Sequence, residues 1–135
     1  MSLEGLNPPT LATPDTYTQV MIAEGRRLVF ISGQVAEDRD GNFVGAGDLA
    51  VQAREAFANV GRALAAAGAR PDEVAKLQIF VVGLTLEHLP VIEAARVAVF
   101  GDHKPADTLL GVAALGYADA LIEVEAVAVL DRQSA

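Results

Sequence analysis

Between Asp48 and Gly68 apolar residues recur in steps of three and four, and Leu49, Ala53, Phe57, Val60, Leu64 and Ala67 form the stripe of a predicted helix. Gln52, Arg54, Glu55, Asn59 and Arg62 take the remaining positions and are expected away from that stripe. Asp48 offers an N-cap acceptor, and Gly68 supplies the left-handed residue that often follows a helix C-terminus. A second helix is expected from about Glu87 to Phe100. Pro90 has no N–H to donate and fits only in its first turn, and Gly101 closes it.

Elsewhere the pattern is that of strands. YTQVMIA (Tyr17 to Ala23) and LVFISGQV (Leu28 to Val35) flank an EGR turn, and the apolar start of the second suggests burial on both faces. AEDRDGNFVGAG is a polar connection in which Asp40-Gly41 marks a turn. VAKLQIFVVGL (Val74 to Leu84), rich in Val, Ile and Phe, is too apolar for an exposed edge and is expected to be central. DTLLGVAAL and ALIEVEAVAVL close the chain as two strands, separated by Gly116 to Asp119.

The order is β-β-α-β-α-β-β, an α+β fold with one sheet of about five strands and two helices on one face. The other face still carries apolar side chains that require cover. Self-association is the simplest source, and a mean hydropathy of +0.33 agrees with it. The 135 residues fit one domain over 1–135, with 1–15, rich in Pro, Thr and Gly, as an N-terminal arm.

Composition narrows the chemistry. There is no cysteine, hence no disulfide, thiol nucleophile or zinc–thiolate site. His88 and His103 lie apart without ligand spacing, so no metal and no cofactor is expected. Ten basic against eighteen acidic residues give a formal charge of −8, and no basic cluster is available to neutralise phosphates, which argues against nucleic acid. The opening MSLEGLNPPTLATP is neither basic nor continuously apolar, and no run approaches a membrane span. A cytoplasmic protein is expected.

A few residues stand out against this background. Glu123 and Glu125, two apart in the last strand, project from one face and interrupt an apolar alternation. Such carboxylates are either a solvated strand face or, in a partly apolar cleft, proton-exchanging groups. Ser32-Gly33 at the end of the second strand reads as a bulge or as a place where backbone groups approach a ligand. Tyr17 is a strand aromatic or a site phenol, and His103 a residue after a helix end or a site imidazole. Asp107, in HKPADTLLGV, sits where a loop becomes a strand, the place of a turn residue or of a group facing a ligand. GNFVGAG lacks the lysine and spacing of a phosphate loop.

Taken in order, Y-T-Q at Tyr17, I-S-G-Q at Ile31 to Gln34, the helix Q-A-R-E-A-F-A-N-V, A-A-G-A followed by D-E-V-A-K-L-Q-I-F-V, the Pro105-Ala106 step and I-E-V-E-A-V-A-V resemble the RidA/YjgF family, the endoribonuclease L-PSP-like proteins. The resemblance covers about Tyr17 to Leu130. It implies a chorismate-mutase-like α+β fold assembled as a homotrimer, with clefts between subunits. Deaminating members hydrolyse enamines and imines such as 2-aminoacrylate to keto acids and ammonia. By the same resemblance an arginine after the Pro-Ala step clamps the substrate carboxylate, the first glutamate of E-x-E (Glu123) handles the attacking water, and Tyr17, Ser32 and Gly33 line the cleft.

The chain departs from that pattern at the clamp. Asp107 follows Pro105-Ala106 and reverses the charge, which argues against the usual 2-imino-acid deaminase activity. Lys104, one step away in register, offers a point charge without the guanidinium fork, and Glu93 stands where the family often has a small polar residue. Three functions follow. The first is a hydrolase for an imine, enamine or amide-like metabolite without a carboxylate, one bearing an amine among the options, with Glu123 and Asp107 as coupled acid and base. The second is a non-catalytic trimer that binds a small molecule or a protein in the same cleft. The third, RNA cleavage, is opposed by the acidity of the chain.

Overall fold

The computed structural model describes residues 2–131. Its elements are β1 (Ser2–Leu6), β2 (Val20–Glu24), β3 (Arg27–Gln34), α1 (Leu49–Ala66), β4 (Val74–Val82), α2 (Leu89–Phe100), β5 (Ala106–Val112) and β6 (Ile122–Leu130), with single 3-10 turns at Pro71–Glu73 and Leu86–His88. The expected helices and strands are all present. Their ends shift by up to a few residues: β2 runs from Val20 to Glu24 rather than from Tyr17 to Ala23, β3 and β5 start one residue early, and the start of the second helix is a separate 3-10 turn. The segment read as an arm contains β1, which pairs antiparallel with β2 from Leu6↔Val20 to Ser2↔Glu24.

That ribbon is distinct from the main sheet, which has four strands in the order β3-β6-β4-β5 rather than about five. β4 is central, as its composition suggested. It lies antiparallel to β6 and parallel to β5, α2 providing the crossover that a parallel pair needs.

Both helices pack on one face. Phe57, Val60 and Leu64 of α1 and Ile92, Ala95 and Phe100 of α2 are buried against Leu77, Ile79 and Val81 of β4 and Ile122, Val124 and Ala126 of β6. Phe57 and Phe100 meet edge to face, ring centroids 6.3 Å apart, a favoured aromatic geometry. Asp48 Oδ1 accepts from the Val51 N–H at 3.1 Å, and Gly68 takes φ 76°, so both expected ends of α1 are present. Gln52 corrects the polar-side reading. It is fully buried and its amide donates to the Gly45 and Asp119 carbonyls and accepts from the Leu121 N–H, tying two loops to the helix.

The other sheet face is open in the single chain. Leu28 is 61% and Phe30 72% exposed, so β3 is buried on one face only and not on both. Strand alternation puts Leu28, Phe30, Val127, Phe80 and Leu110 on this side, among Ser32, Lys76, Gln78, Thr108, Glu123 and Glu125.

Candidate functional site

Register decides which candidate residues meet. Asp107 pairs with Leu77, which pairs with Ala126; these lie on the helix-covered face. Glu123 pairs with Phe80, one position out of phase with the buried Leu77, Ile79 and Val81 and hence on the open face. Within one chain the Asp107–Glu123 pair therefore does not form, and a direct coupling between them there is ruled out by the period of two. Glu123 and Glu125 do share a face, opposite Phe80 and Gln78 respectively.

On the covered side, Asp107 lines a cavity of about 360 Å³ with Thr16, Tyr17, Ile79, Leu89, Ile92, Glu93, Arg96 and Leu109. The Thr18 hydroxyl and N–H donate to the carbonyls of Lys104 and Pro105, which lashes the segment before β2 to the Pro-Ala step and brings Tyr17 beside Asp107. The Y-T-Q and K-P-A-D stretches, far apart in sequence, thus form one wall. Lys104 contributes its carbonyl to this contact; its side chain is exposed and is not among the residues that line the cavity.

The cation in this cavity is Arg96, which the sequence reading missed. It is 2% exposed, and each of its three nitrogens is engaged: Nε and Nη2 with the Glu93 carboxylate at 3.0 and 2.5 Å, Nη1 with the His103 carbonyl at 2.7 Å. A signal was present, because Arg96 is spaced four residues from both Ile92 and Phe100, in the apolar stripe of α2. His103 is fixed by Nε2 against the Val74 carbonyl at 2.7 Å, a structural placement beside Phe100.

Asp107 has a different environment. Among the described residues no donor lies within hydrogen-bond distance of its carboxylate. Burial raises its pKa from 3.8 to about 6; the positive charges of Arg96 and Lys76 pull the other way and Glu93 adds to the rise.

On the open side, β3 breaks register between Ile31 and Gln34, the expected bulge. Gly33 sits there with Glu123 folded against its backbone: a Cβ on Gly33 would fall 2.8 Å from Glu123 Cγ. The bulge reading of this glycine holds, and the group that it meets at close range is the Glu123 side chain. Gly33 also borders a cavity of about 680 Å³ that includes Arg39, Asn59, Arg62 and Tyr117. Ser32 faces a third cavity, about 460 Å³, with Phe30, Lys76, Gln78 and Glu125, in which Lys76 Nζ donates to Thr108 Oγ1 at 2.9 Å. Tyr17 and Asp107 thus meet on one side, and Ser32, Gly33 and Glu123 gather on the other. Among the described residues no group of three or more potential metal ligands occurs, and no helix is long and apolar enough to cross a membrane.

Comparison with known proteins agrees with this geometry. Residues 9–130 match the family model described as Endoribonuclease L-PSP. Protein MMF1, mitochondrial, of Saccharomyces cerevisiae is 30% identical over 124 residues, 92% of this chain and 79% of that one. A 2-iminobutanoate/2-iminopropanoate deaminase of Dermatophagoides farinae is 29% identical over 103 residues, 76% and 78% of the two chains. The crystal structure of YyfB from Yersinia pestis, a protein of unknown function of the Rid family, superposes with a TM-score of 0.90 at 34% identity, covering 96% of this chain and 100% of that one. With matching order of motifs, matching fold and a family match across nearly its whole length, the chain belongs to the endoribonuclease L-PSP family, the RidA/YjgF proteins.

Proposed function

We propose that the protein hydrolyses a small imine or enamine without a carboxylate, in a cleft completed by a second copy of the chain within a homotrimer. The observation that carries this reading is the division of the candidate residues between two sheet faces. Asp107 and Tyr17 border a half-closed cavity, while Glu123 lies on an open face whose exposed Leu28 and Phe30 call for cover. A neighbouring copy on that open face brings a Glu123 toward an Asp107 that its own chain keeps on the other side.

The chemistry asked of the two carboxylates is ordinary acid–base work. Asp107, titrating at about 6, is a proton donor near neutrality and protonates the imine nitrogen. The iminium carbon then takes up water as Glu123 accepts a proton from it. Glu123 then gives that proton to the carbinolamine nitrogen, the C–N bond breaks and ammonia leaves, and Asp107 takes the hydroxyl proton as the carbonyl forms, which restores both carboxylates. A substrate carboxylate is disfavoured, because Asp107 and Glu93 would repel it and Arg96 is already engaged by Glu93.

Two oxidase-coupled assays test this reading. An amine oxidase supplies carboxylate-free imines in situ and an amino-acid oxidase supplies 2-imino acids, with ammonia release followed in both. Acceleration of the first and little of the second is expected. Rapid hydrolysis of 2-iminopropanoate would overturn the assigned preference, and acceleration of neither would leave the trimer as a binding module for a small metabolite.

A further inference from the structure

We infer that the cavity beside Asp107 is a recognition site for an organic cation, a primary ammonium or iminium group carrying a short apolar chain. This deepens the proposed imine hydrolysis, on which it rests for the identity of the cleft, but its own support is the arrangement of charge around the cavity. Three charged side chains line it, and they are not equivalent. Arg96 is spent: Glu93 takes two of its nitrogens and the His103 carbonyl the third. Glu93 is spent in the same pair. Asp107 remains with no hydrogen-bond partner among the described residues, half-buried at one wall. An isolated carboxylate of this kind gains most from a cation that brings N–H donors with it.

The rest of the wall sets the size and character of the ligand. Ile79, Leu89, Ile92 and Leu109 are apolar, and Thr16 and Tyr17 close the side nearest the Pro-Ala step. A volume of about 360 Å³ lies at the low end for small-molecule sites and suits an alkyl chain of a few carbons. Exchanging the clamp arginine for Asp107, with an arginine–glutamate pair beside it, converts an anion site into a cation site rather than abolishing it.

Proton linkage gives an independent signature. The charged and titratable groups around Asp107 are Glu93 and Arg96 of α2, Lys76 of β4 and Tyr17 of the preceding segment. Burial raises the Asp107 titration to about 6. Cation binding requires its ionised form, so affinity rises as pH increases through that value and levels off above it.

The test uses n-butylammonium and butyrate, equal in shape and opposite in charge, titrated into the full chain by calorimetry and by methyl NMR. The expected result is ammonium binding that shifts the methyl signals of Ile79, Ile92 and Leu109, weakens about tenfold or more in Asp107→Asn, and loses its pH dependence near 6 in that variant. Preferential binding of butyrate, ammonium binding unaffected by Asp107→Asn, or no binding of either ion overturns the inference. Ammonium binding together with failure of both oxidase-coupled assays removes the reaction and keeps the cation site. Hydrolysis together with preferential butyrate binding does the reverse.

Discussion

The two faces of the four-stranded sheet are built by the same strands and treat their polar residues in opposite ways. On the helix side, the large buried groups are packed apolar side chains or polar ones with partners, as Arg96 is with Glu93 and Gln52 with the loops around it, whereas half-buried Asp107 has no hydrogen-bond partner among the described residues. On the open side, polar and apolar residues are interleaved, with Phe30 and Leu28 exposed beside Ser32, Gln78 and Glu125. The lesson is that one face is complete within a single chain and the other is not. A carboxylate left unpaired on the finished face supports the proposed site there, and exposed phenylalanine on the open face supports the proposed association of copies.

Five substitutions sharpen or break this comparison. The largest effect is expected from Phe57→Ala, which empties a packed position against Phe100 and should cost about 3–5 kcal/mol in chemical denaturation. Phe30→Ala should leave the stability of a single chain nearly unchanged and instead shift light scattering toward smaller species. Equal losses of chain stability at both positions, with no change in mass, would erase the distinction between the faces.

Gly33→Ala comes next. It forces Glu123 away from the β3 bulge and should cost about 1–3 kcal/mol while disturbing the methyl signals of Val124 and Ile122. A cost near zero would mean that Glu123 is not held against this backbone.

Asp107→Asn is expected to stabilise. The folded chain holds the Asp107 proton more tightly than the unfolded one, because its pKa is raised to about 6 from 3.8. The penalty of the ionised carboxylate is therefore absent below about pH 4, grows between pH 4 and 6 and is complete above, so wild-type stability falls through that window. Allowing for solvent screening, the variant should gain about 1–2 kcal/mol at pH 7.5 and nothing at pH 3.5. A gain that is the same at both values would contradict the assigned cause. Lys104→Ala, whose side chain is exposed and outside the cavity, should stay within about 0.5 kcal/mol and leave ammonium binding intact.

Much of this was legible in the sequence, for reasons that differ by residue. The helix of Leu49 to Leu64 announces itself because a repeated spacing imposes a buried stripe. The central place of β4 follows from its richness in Val, Ile and Phe, too apolar for an exposed edge, and Val74, Leu77, Ile79 and Val81 are buried. Three features were hidden. Ser2–Leu6 became a strand only because Val20–Glu24 lies beside it, a non-local pairing that its Pro-flanked composition does not signal. Helical spacing put Gln52 away from the stripe and passed over Arg96, because it does not reveal their distant partners, Asp119 and Leu121 in one case and His103 in the other. Asp107 and Glu123 looked like a pair because motif order says nothing of strand parity; register does.

The claim that the catalytic carboxylates come from different copies is tested most directly by complementation. Asp107→Asn and Glu123→Gln variants, each inactive on a carboxylate-free imine, are mixed in equal amounts, unfolded together and refolded, beside wild type treated alike. In the mixed oligomers about a quarter of the clefts then combine an intact Asp107 from one copy with an intact Glu123 from the next. The account predicts recovery of activity to roughly that fraction of wild type. A mixture as inactive as its two components, with wild type active after the same treatment, would contradict it.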